Sequence, residues 1–277
     1  MAVTERTTSD EGESALAGDF DPHTISDPAG LAVLLDIDGT LIELAPTPQE
    51  VHVPPSLKHT LSRLRGRLDG ALALVSGRPL SDIDNLFKPL LVAAVGGHGA
   101  ENRLDTSGAV AHRDAGAMDA KVSRRLLAIA EATPGVLAED KGYSMAMHYR
   151  LAPDSERLVH DAIVRICNDS PEAHLEILPG KSMFEVKPKG FSKGIAVREL
   201  MQQAPFRGRR PIFIGDDVTD ESVFRVMPEF GGLAFSVGRR LAGTHGDFGT
   251  PREVRHWLYS LIAPAGTPAA ASLTTSG

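Results

Sequence analysis

The sequence predicts an α/β protein whose central parallel sheet carries helices on both faces, with a smaller α+β domain inserted into it. Five apolar runs are continuous and end in glycine or a polar residue, which is typical of strands buried on both faces of a parallel sheet. They are LAVLLDID (31–38), ALALVSG (71–77), LLVAAVGG (90–97), PIFIGDD (211–217) and GLAFSVG (232–238). Helical stretches such as 54–68 and 191–204 separate the runs, which is the element order of an α/β fold.

The middle of the chain, from about 110 to 187, has a different pattern. In GYSMAMHYRL (142–151) apolar and polar residues alternate, so we expect a strand with two unlike faces. One face carries Tyr143, Met145, Met147 and Tyr149, and the other carries Ser144, His148 and Arg150. Alternating strands indicate a half-exposed antiparallel sheet, and hence a separate inserted domain.

A helix and a hairpin complete the predicted insertion. The helix is expected near 153–169, with its apolar side formed by Leu158, Ala162, Ile163 and Ile166. The hairpin is expected in HLEILPGKSMFEVKP (174–188), with Pro179-Gly180 at its turn.

These patterns set the predicted domain limits. The first part of the core is expected at 30–110, the inserted α+β domain at 111–186 and the second part of the core at 187–262. The acidic, polar segment 1–29 and the low-complexity tail 263–277 lack apolar periodicity, and both are predicted to be disordered.

Composition excludes several classes of protein. The 29 basic and 36 acidic residues leave a net charge of −7, which argues against nucleic acid or an anionic membrane as partner. No apolar run approaches the roughly 20 residues that span a bilayer, and the N-terminus lacks the order of a secretion signal. Cys167 is the single cysteine, so no intramolecular disulfide can form. We therefore expect a cytoplasmic monomer in a reducing compartment.

Polar residues follow the predicted parallel strands where each strand ends. Asp36 and Asp38 follow the first, Ser76-Gly77-Arg78 the second and Asp216-Asp217 the fourth, while Lys193 opens a helix. Open α/β sheets bind ligands at the carboxyl ends of their strands, so we expect these residues to meet there.

The acids at this edge predict a bound Mg²⁺ ion. Clustered carboxylates raise each other's pKa unless a cation holds them ionised, and a few oxygen ligands favour Mg²⁺. A calcium loop starting at Asp36 is excluded by spacing, because its central glycine would fall on Leu41 and its final glutamate on Thr47.

With a phosphate ester these residue types can perform phosphoryl transfer. One carboxylate can attack phosphorus to form an aspartyl-phosphate, and a second can protonate the leaving alkoxide and later activate water. A lysine, a hydroxyl, backbone amides and the metal can stabilise the transferring group.

Four motifs together resemble the haloacid-dehalogenase (HAD) superfamily. They are DIDGTL (36–41), LVSGR (74–78), Lys193 in FSKG (191–194) and GDDVTDE (215–221). Within it, residues 31–260 most resemble the trehalose-6-phosphate phosphatases. The supporting stretches are SGRP (76–79), GGHGAE (96–101), DKGYSMAMHYR (140–150), GKSMFEVKPKGFSKG (180–194) and GDDVTDESVF (215–224).

The resemblance implies a HAD-like Rossmannoid core and roles for individual residues. Asp36 would be the nucleophile and Asp38 the general acid/base. Mg²⁺ would be held by Asp36, the backbone carbonyl of Asp38 and Asp216, with Asp217 and Asp220 supporting them. Ser76, Gly77 and Lys193 would hold the phosphate.

The inserted domain would be a cap that reads the sugar. Candidates for sugar contacts are Arg78, His98, Glu139, Lys141, Arg150, Lys181 and Glu185. The predicted hairpin independently puts Lys181 and Glu185 on one strand face, since they are four residues apart. Cap closure over the core is expected, with hinges near 108–112 and 186–191.

The sequence thus predicts a Mg²⁺-dependent phosphatase that hydrolyses trehalose 6-phosphate in trehalose biosynthesis. One alternative is a related phosphatase acting on sucrose phosphate or a mannosyl phosphoester. Another is a non-catalytic sugar-phosphate sensor, although a pure binder gains little from a nucleophile beside an acid. A phosphorelay receiver domain is a further alternative, but such a domain needs neither the second acid of DIDGTL nor a cap.

Overall fold

The computed structural model describes residues 19–44, 50–104, 111–112, 118–180 and 182–263. Within those ranges the strands are β1 (Leu31–Leu35), β2 (Leu72–Val75), β3 (Ala93–Gly96), β4 (Glu101–Arg103), β5 (Ala111–His112), β6 (Leu137–Asp140), β7 (Met145–His148), β8 (Leu175–Gly180), β9 (Met183–Pro188), β10 (Arg210–Gly215), β11 (Leu233–Val237) and β12 (Gly246–Phe248). The α-helices are α1 (Pro55–Arg67), α2 (Leu80–Phe87), α3 (Ala120–Ala132), α4 (Glu156–Asn168), α5 (Lys193–Leu200), α6 (Glu221–Phe224) and α7 (Pro251–Ser260).

The strands form two sheets in this part of the chain. The larger has the order β12-β11-β10-β1-β2-β3-β4-β5. Its strands are parallel from β12 to β3, and β4 and β5 continue it antiparallel. All five continuous apolar runs contain one of its parallel strands, as predicted.

The parallel sheet is covered on both faces. Residues 32–35 of β1 are all completely buried, and successive side chains of a strand point to opposite faces. The core around them includes apolar side chains of α1, α5, α6 and α7, with Trp257 among the largest fully buried ones. The predicted α/β class is therefore confirmed.

The smaller sheet has the order β6-β7-β9-β8 and is antiparallel throughout. It packs with α3 and α4 around a separate apolar cluster that includes Met145, Met147 and Tyr149, so the predicted α+β unit is present. Its sheet and two helices span residues 120–188, which we call the cap. β5 belongs to the larger sheet, and β9 continues two residues beyond the predicted limit of 186.

Two details of the cap differ from prediction. The apolar side of α4 is formed by Val159, Ile163 and Ile166, whereas Leu158 is 54% exposed because it lies about 100° further round the helix. Residues 179–180 are not the hairpin turn, since Pro179 still pairs with Phe184 and Gly180 with Met183. Pro179 is accommodated because β8 is an edge strand.

Residues 19–29, which lie in the segment expected to be disordered, pack against the core. A 3₁₀ turn spans Pro22–Thr24, and the Trp257 indole N–H donates to the carbonyl of Pro22 at 2.8 Å. The backbone N–H of Phe20 donates to His245 O at 2.8 Å, and its ring contacts the core. Residues 1–18 and 264–277 lie outside the described residues. No helix in the described ranges is long and apolar enough to cross a membrane.

Candidate active site

The first acidic loop leaves the carboxyl end of β1. The Asp36 N–H still donates to Ile214 O at 2.9 Å, which holds Asp36 against β10, and the residue is 4% exposed. Gly39 then adopts φ +81°, a left-handed conformation that favours glycine. A Cβ on Gly39 would lie 2.0 Å from Asp216 Oδ2, so glycine is also needed to bring this loop against the acid after β10.

A buried lysine joins the two acidic loops. Lys193 Nζ lies 2.7 Å from Asp36 Oδ1 and 2.7 Å from Asp220 Oδ1. Ser192 caps α5 by accepting the Ile195 N–H, which fixes the start of the helix from which Lys193 projects. The predicted convergence of Asp36 and Lys193 is thus observed.

Asp220 organises the loop after β10. Its Oδ2 accepts the backbone N–H groups of Asp216 at 3.0 Å and Asp217 at 3.1 Å. The Asp217 side chain in turn accepts the Asp220 N–H, which completes a reciprocal capping box, and it also accepts the Val218 N–H at 2.7 Å. Asp220 therefore holds the backbone of the loop at Asp216 and Asp217 and contacts Lys193.

Three of these acids could hold a cation. Asp36, Asp216 and Asp220 each offer an oxygen, and the three atoms lie within 4.8 Å of one another. Because both Asp220 oxygens already accept hydrogen bonds from Lys193 and backbone amides, Asp36 and Asp216 are the freer ligands. Thr40 adds a hydroxyl that donates to Asp216 Oδ1 at 3.4 Å.

Two carboxyl groups of this cluster have raised pKa values. Burial, followed by repulsion from Asp220, raises the pKa of Asp216 to about 7. Burial also raises the pKa of Asp36, although the nearby Lys193 opposes this. For Lys193 burial lowers the pKa, but attraction to Asp220 and Asp36 outweighs it and raises the pKa overall. A bound divalent cation would relieve the repulsion among the acids, so the donor set fits a metal such as Mg²⁺.

The loop after β2 reaches the first acidic loop through Arg78. Its Nε and Nη2 atoms donate to the two carboxylate oxygens of Asp38, each at 2.6 Å, forming a bidentate ion pair. Ser76 is 2% exposed, and its Oγ accepts the Arg78 N–H at 3.1 Å. A Cβ on Gly77 would lie 2.4 Å from His98 Nε2, so glycine lets the two loops approach. Arg78, expected to contact sugar, is thus paired with Asp38, the predicted acid/base.

A second polar cluster joins the cap to the core. Glu185 is 3% exposed and accepts from Ser144 Oγ at 2.6 Å and Lys141 Nζ at 3.2 Å. On the core side, His98 Nε2 lies 3.1 Å from Glu185 Oε2. Burial raises the pKa of Glu185, but His98 and Lys141 outweigh that effect and lower it well below its usual range. Glu185 is therefore held as a carboxylate at the cap–core boundary.

The other predicted cap residues have varied positions. Glu139, Ala146 and Glu185 are paired across three adjacent strands, so Glu139 and Glu185 share one sheet face. Glu139 contacts His148 at 2.9 Å, and this hydrogen bond lowers the pKa of Glu139 despite partial burial. Arg150 is exposed, beyond the end of β7. Lys181 lies outside the described residues.

Tyr143 and Phe191 join the cap to the core, and sequence reasoning did not identify either of them in this role. The Tyr143 hydroxyl approaches Gly77 O at 3.5 Å, and its ring packs with Phe191 and Ala100 in a small apolar cluster. Within the described residues no larger apolar cluster joins the cap to the core. The alternation of apolar and polar residues assigns Tyr143 to the same face as Met145. It does not show whether a residue of that face packs inside the cap or against the core domain.

The fold and the site together define a class of protein. A parallel sheet with acids and a buried lysine at its carboxyl edge, beside an inserted antiparallel cap, is the arrangement that the resemblance of the motifs to HAD-superfamily phosphatases implies. The model of the family described as trehalose-phosphatase matches residues 34–253, and the chain belongs to this family.

Relatives of known name agree with this assignment. The chain is 45% identical over 231 residues to a probable trehalose-phosphate phosphatase of Sinorhizobium fredii, covering 82% of this chain and 84% of that one. It is 42% identical over 213 residues to the trehalose-6-phosphate phosphatase of Escherichia coli, covering 76% and 78%. The C-terminal domain of the C. albicans trehalose-6-phosphate phosphatase has the same fold, with a TM-score of 0.74 at 23% identity over 89% of this chain and 98% of that one.

Proposed function

We propose that the protein is a Mg²⁺-dependent phosphatase that hydrolyses trehalose 6-phosphate to trehalose and phosphate, and that it serves trehalose biosynthesis. The observation that carries the proposal is the buried Lys193 ammonium, held 2.7 Å from both Asp36 and Asp220 at the carboxyl edge of the sheet. Fixed positive charge beside a buried carboxylate suits a site in which that carboxylate attacks an anionic phosphoryl group.

Asp36 is the proposed nucleophile. Its carboxylate oxygen would attack phosphorus and form an aspartyl-phosphate, while the bond from phosphorus to the sugar oxygen breaks. Burial suits this role, because a desolvated carboxylate need not shed a hydration shell before it attacks.

Asp38 is the proposed acid and base. It would donate a proton to the departing sugar oxygen, and then take one from the water that hydrolyses the aspartyl-phosphate, so the proton balance closes over the cycle. Its side chain is 29% exposed, which gives that water access. The bidentate contact of Arg78 would orient the Asp38 carboxylate between these two steps.

Lys193 and Ser76 are the proposed phosphate-binding side chains, with the glycine at position 77 allowing close approach of the backbone. Asp36, Asp216 and the backbone carbonyl of Asp38 would hold Mg²⁺, and Asp217 and Asp220 would support them. The ion, when bound, would supply charge neutralisation to the transferring phosphoryl group.

The cap is the proposed sugar-binding part. Glu139 and Glu185 lie on the same face of the cap sheet, and Glu185 contacts His98 of the core. His98 Nδ1 is buried and has no hydrogen-bond partner among the described residues, so a sugar hydroxyl could satisfy it once the cap admits substrate. A site of paired buried charges would reject smaller phosphate esters by leaving polar groups unpaired.

A substrate panel tests the proposal. Phosphate release should be measured for trehalose 6-phosphate, sucrose phosphate, a mannosyl phosphoester and glucose 6-phosphate, with Mg²⁺ and with a chelator. We expect trehalose 6-phosphate to have the highest kcat/KM and the chelator to abolish turnover. A preference for another sugar would reassign the substrate, and binding without turnover of any ester would make the protein a sensor.

A further inference from the structure

A buried lysine outside the catalytic cluster lies just before the linker that returns from the cap to the core. Lys187, near the end of β9, is 2% exposed. Its Nζ contacts the Glu176 carboxylate on β8 and donates to the carbonyl of Phe191 at 2.6 Å. The same atom lies 4.3 Å from the centre of the Phe191 ring, within cation–π range.

These contacts anchor the linker at both ends. The bond from Lys187 Nζ to Phe191 O closes a loop over Pro188, Lys189 and Gly190, in which Gly190 has φ +106°. Because an ammonium buried without partners is strongly unfavourable, Lys187 is stable only while Phe191 and Glu176 stay in place. The linker is therefore tied to β9 through Lys187.

The anchored linker touches both functional parts of the molecule. Lys187 is two residues from Glu185 in β9, so the two side chains lie on the same face of the cap sheet. At the other end, Phe191 is two residues before Lys193. The Phe191 ring also packs edge-on against Tyr143, at 6.1 Å between centroids, and Tyr143 reaches the Gly77 carbonyl of the core.

We propose that Lys187 is a positioning residue that sets the angle of the cap over the core by anchoring the linker 188–191. It acts through β9, keeping Glu185 opposite His98 so that a disaccharide phosphate is held correctly, and it contacts neither phosphate nor metal. The proposal rests on the proposed function for its substrate. Small phosphate esters, which do not reach the cap, should be insensitive to Lys187.

The test compares Lys187→Met with Lys189→Met. Met keeps the length and apolar volume of the stem, and Lys189 is an exposed lysine of the same linker, which makes it a matched control. Lys187→Arg keeps the positive charge and the hydrogen-bond donor that Lys187→Met removes. Glu176→Gln removes the negative charge beside Lys187 while keeping the volume, and it replaces Lys187→Met in the test if that variant does not fold.

The first readout is kinetic. For Lys187→Met we expect kcat/KM on trehalose 6-phosphate to fall by about tenfold or more through KM, since small misplacement of a positioning group is costly. kcat/KM on p-nitrophenyl phosphate should be unchanged. Lys187→Arg should recover most of the loss, and Lys189→Met should match the wild type. Equal losses on both substrates, or no loss, would overturn the proposal.

The second readout does not need activity. Amide hydrogen exchange at residues 189–192 should be faster in Lys187→Met and in Glu176→Gln, and unchanged at α1 and α7 in the core. Unchanged exchange in the linker would refute the anchor. If wild-type protein releases no phosphate from trehalose 6-phosphate, the proposed function fails, while this measurement still decides whether Lys187 holds the linker.

Discussion

Replacing Lys193 by Met tests the buried centre most fully. Lys193 is 4% exposed, and its ammonium lies between Asp36 and Asp220, with Asp216 in the same cluster. Met has a similar length and an apolar stem, so the substitution removes the charge and donors with little change of volume. Three carboxylates are then left without their cation.

The expected size of the effect follows from the two contacts. Removing one partner of a buried ion pair costs about 3–5 kcal/mol, because the remaining charge is left uncompensated. The acids can limit this cost by taking up protons, and Asp216 already has a pKa of about 7. The loss should therefore be smaller in acid than above pH 7. Loss of one preorganised charge at the reacting phosphoryl group should lower kcat by about 10²–10³-fold.

The assay combines chemical unfolding at several pH values with kcat on trehalose 6-phosphate at saturating Mg²⁺. Lys189→Met, at an exposed position, is the control for removing a lysine. A Lys193→Met protein that keeps kcat within the error of wild type would refute the role given to this side chain. An unchanged free energy of unfolding above pH 7 would refute the argument from buried charge.

Two further predictions concern the metal and the cap. Mg²⁺ should raise the thermal midpoint more at about pH 8 than at about pH 5.5, because protons compete for Asp216 below its pKa of about 7. A stabilisation by Mg²⁺ that is independent of pH would contradict this prediction. The folded pKa of about 7, above the ordinary 3.8, also means that the metal-free protein loses stability as pH rises from 3.8 to about 7, since the unfolded chain releases the proton first; metal-free stability that does not fall in this range would contradict the raised pKa. Glu185→Ala should cost about 10²-fold in kcat/KM on trehalose 6-phosphate, because His98 and Lys141 lose their buried partner, and should leave p-nitrophenyl phosphate hydrolysis nearly unchanged; equal losses on both substrates would remove Glu185 from sugar recognition.

The fold was largely predictable because its central strands are buried on both faces. Burial on both faces requires continuous apolar runs such as residues 31–35, and polar residues can then appear only where the strand ends. Since parallel strands end at one edge, Asp36 and Asp216 could be placed together from sequence. Lys193 is the first residue of α5, and it too could be assigned to this edge of the sheet from the sequence.

Other features depend on approaches between loops that no local pattern records. The pairing of Arg78 with Asp38 requires two loops after different strands to come within 2.6 Å, and the sequence motif around Arg78 does not reveal its partner. Apolar periodicity assigns Leu158 to the cap core, because periodicity alone does not show which edge of an apolar helix face is buried. Phe20 packs against the core, but it is an isolated aromatic residue in a polar segment. It forms no periodic pattern from which this contact could be predicted.

The central claim is that Asp36 becomes covalently phosphorylated, and rapid acid quenching of the enzyme with trehalose 6-phosphate tests it most directly. Peptide mass spectrometry of the quenched wild-type protein should find a phosphoryl group on Asp36, and Asp36→Asn should show neither the modification nor turnover. Phosphorylated Asp36 should accumulate to a higher level in Asp38→Asn if hydrolysis of this intermediate is slowed more than its formation. Turnover by Asp36→Asn, or single-turnover phosphate release without any modified Asp36, would contradict the account.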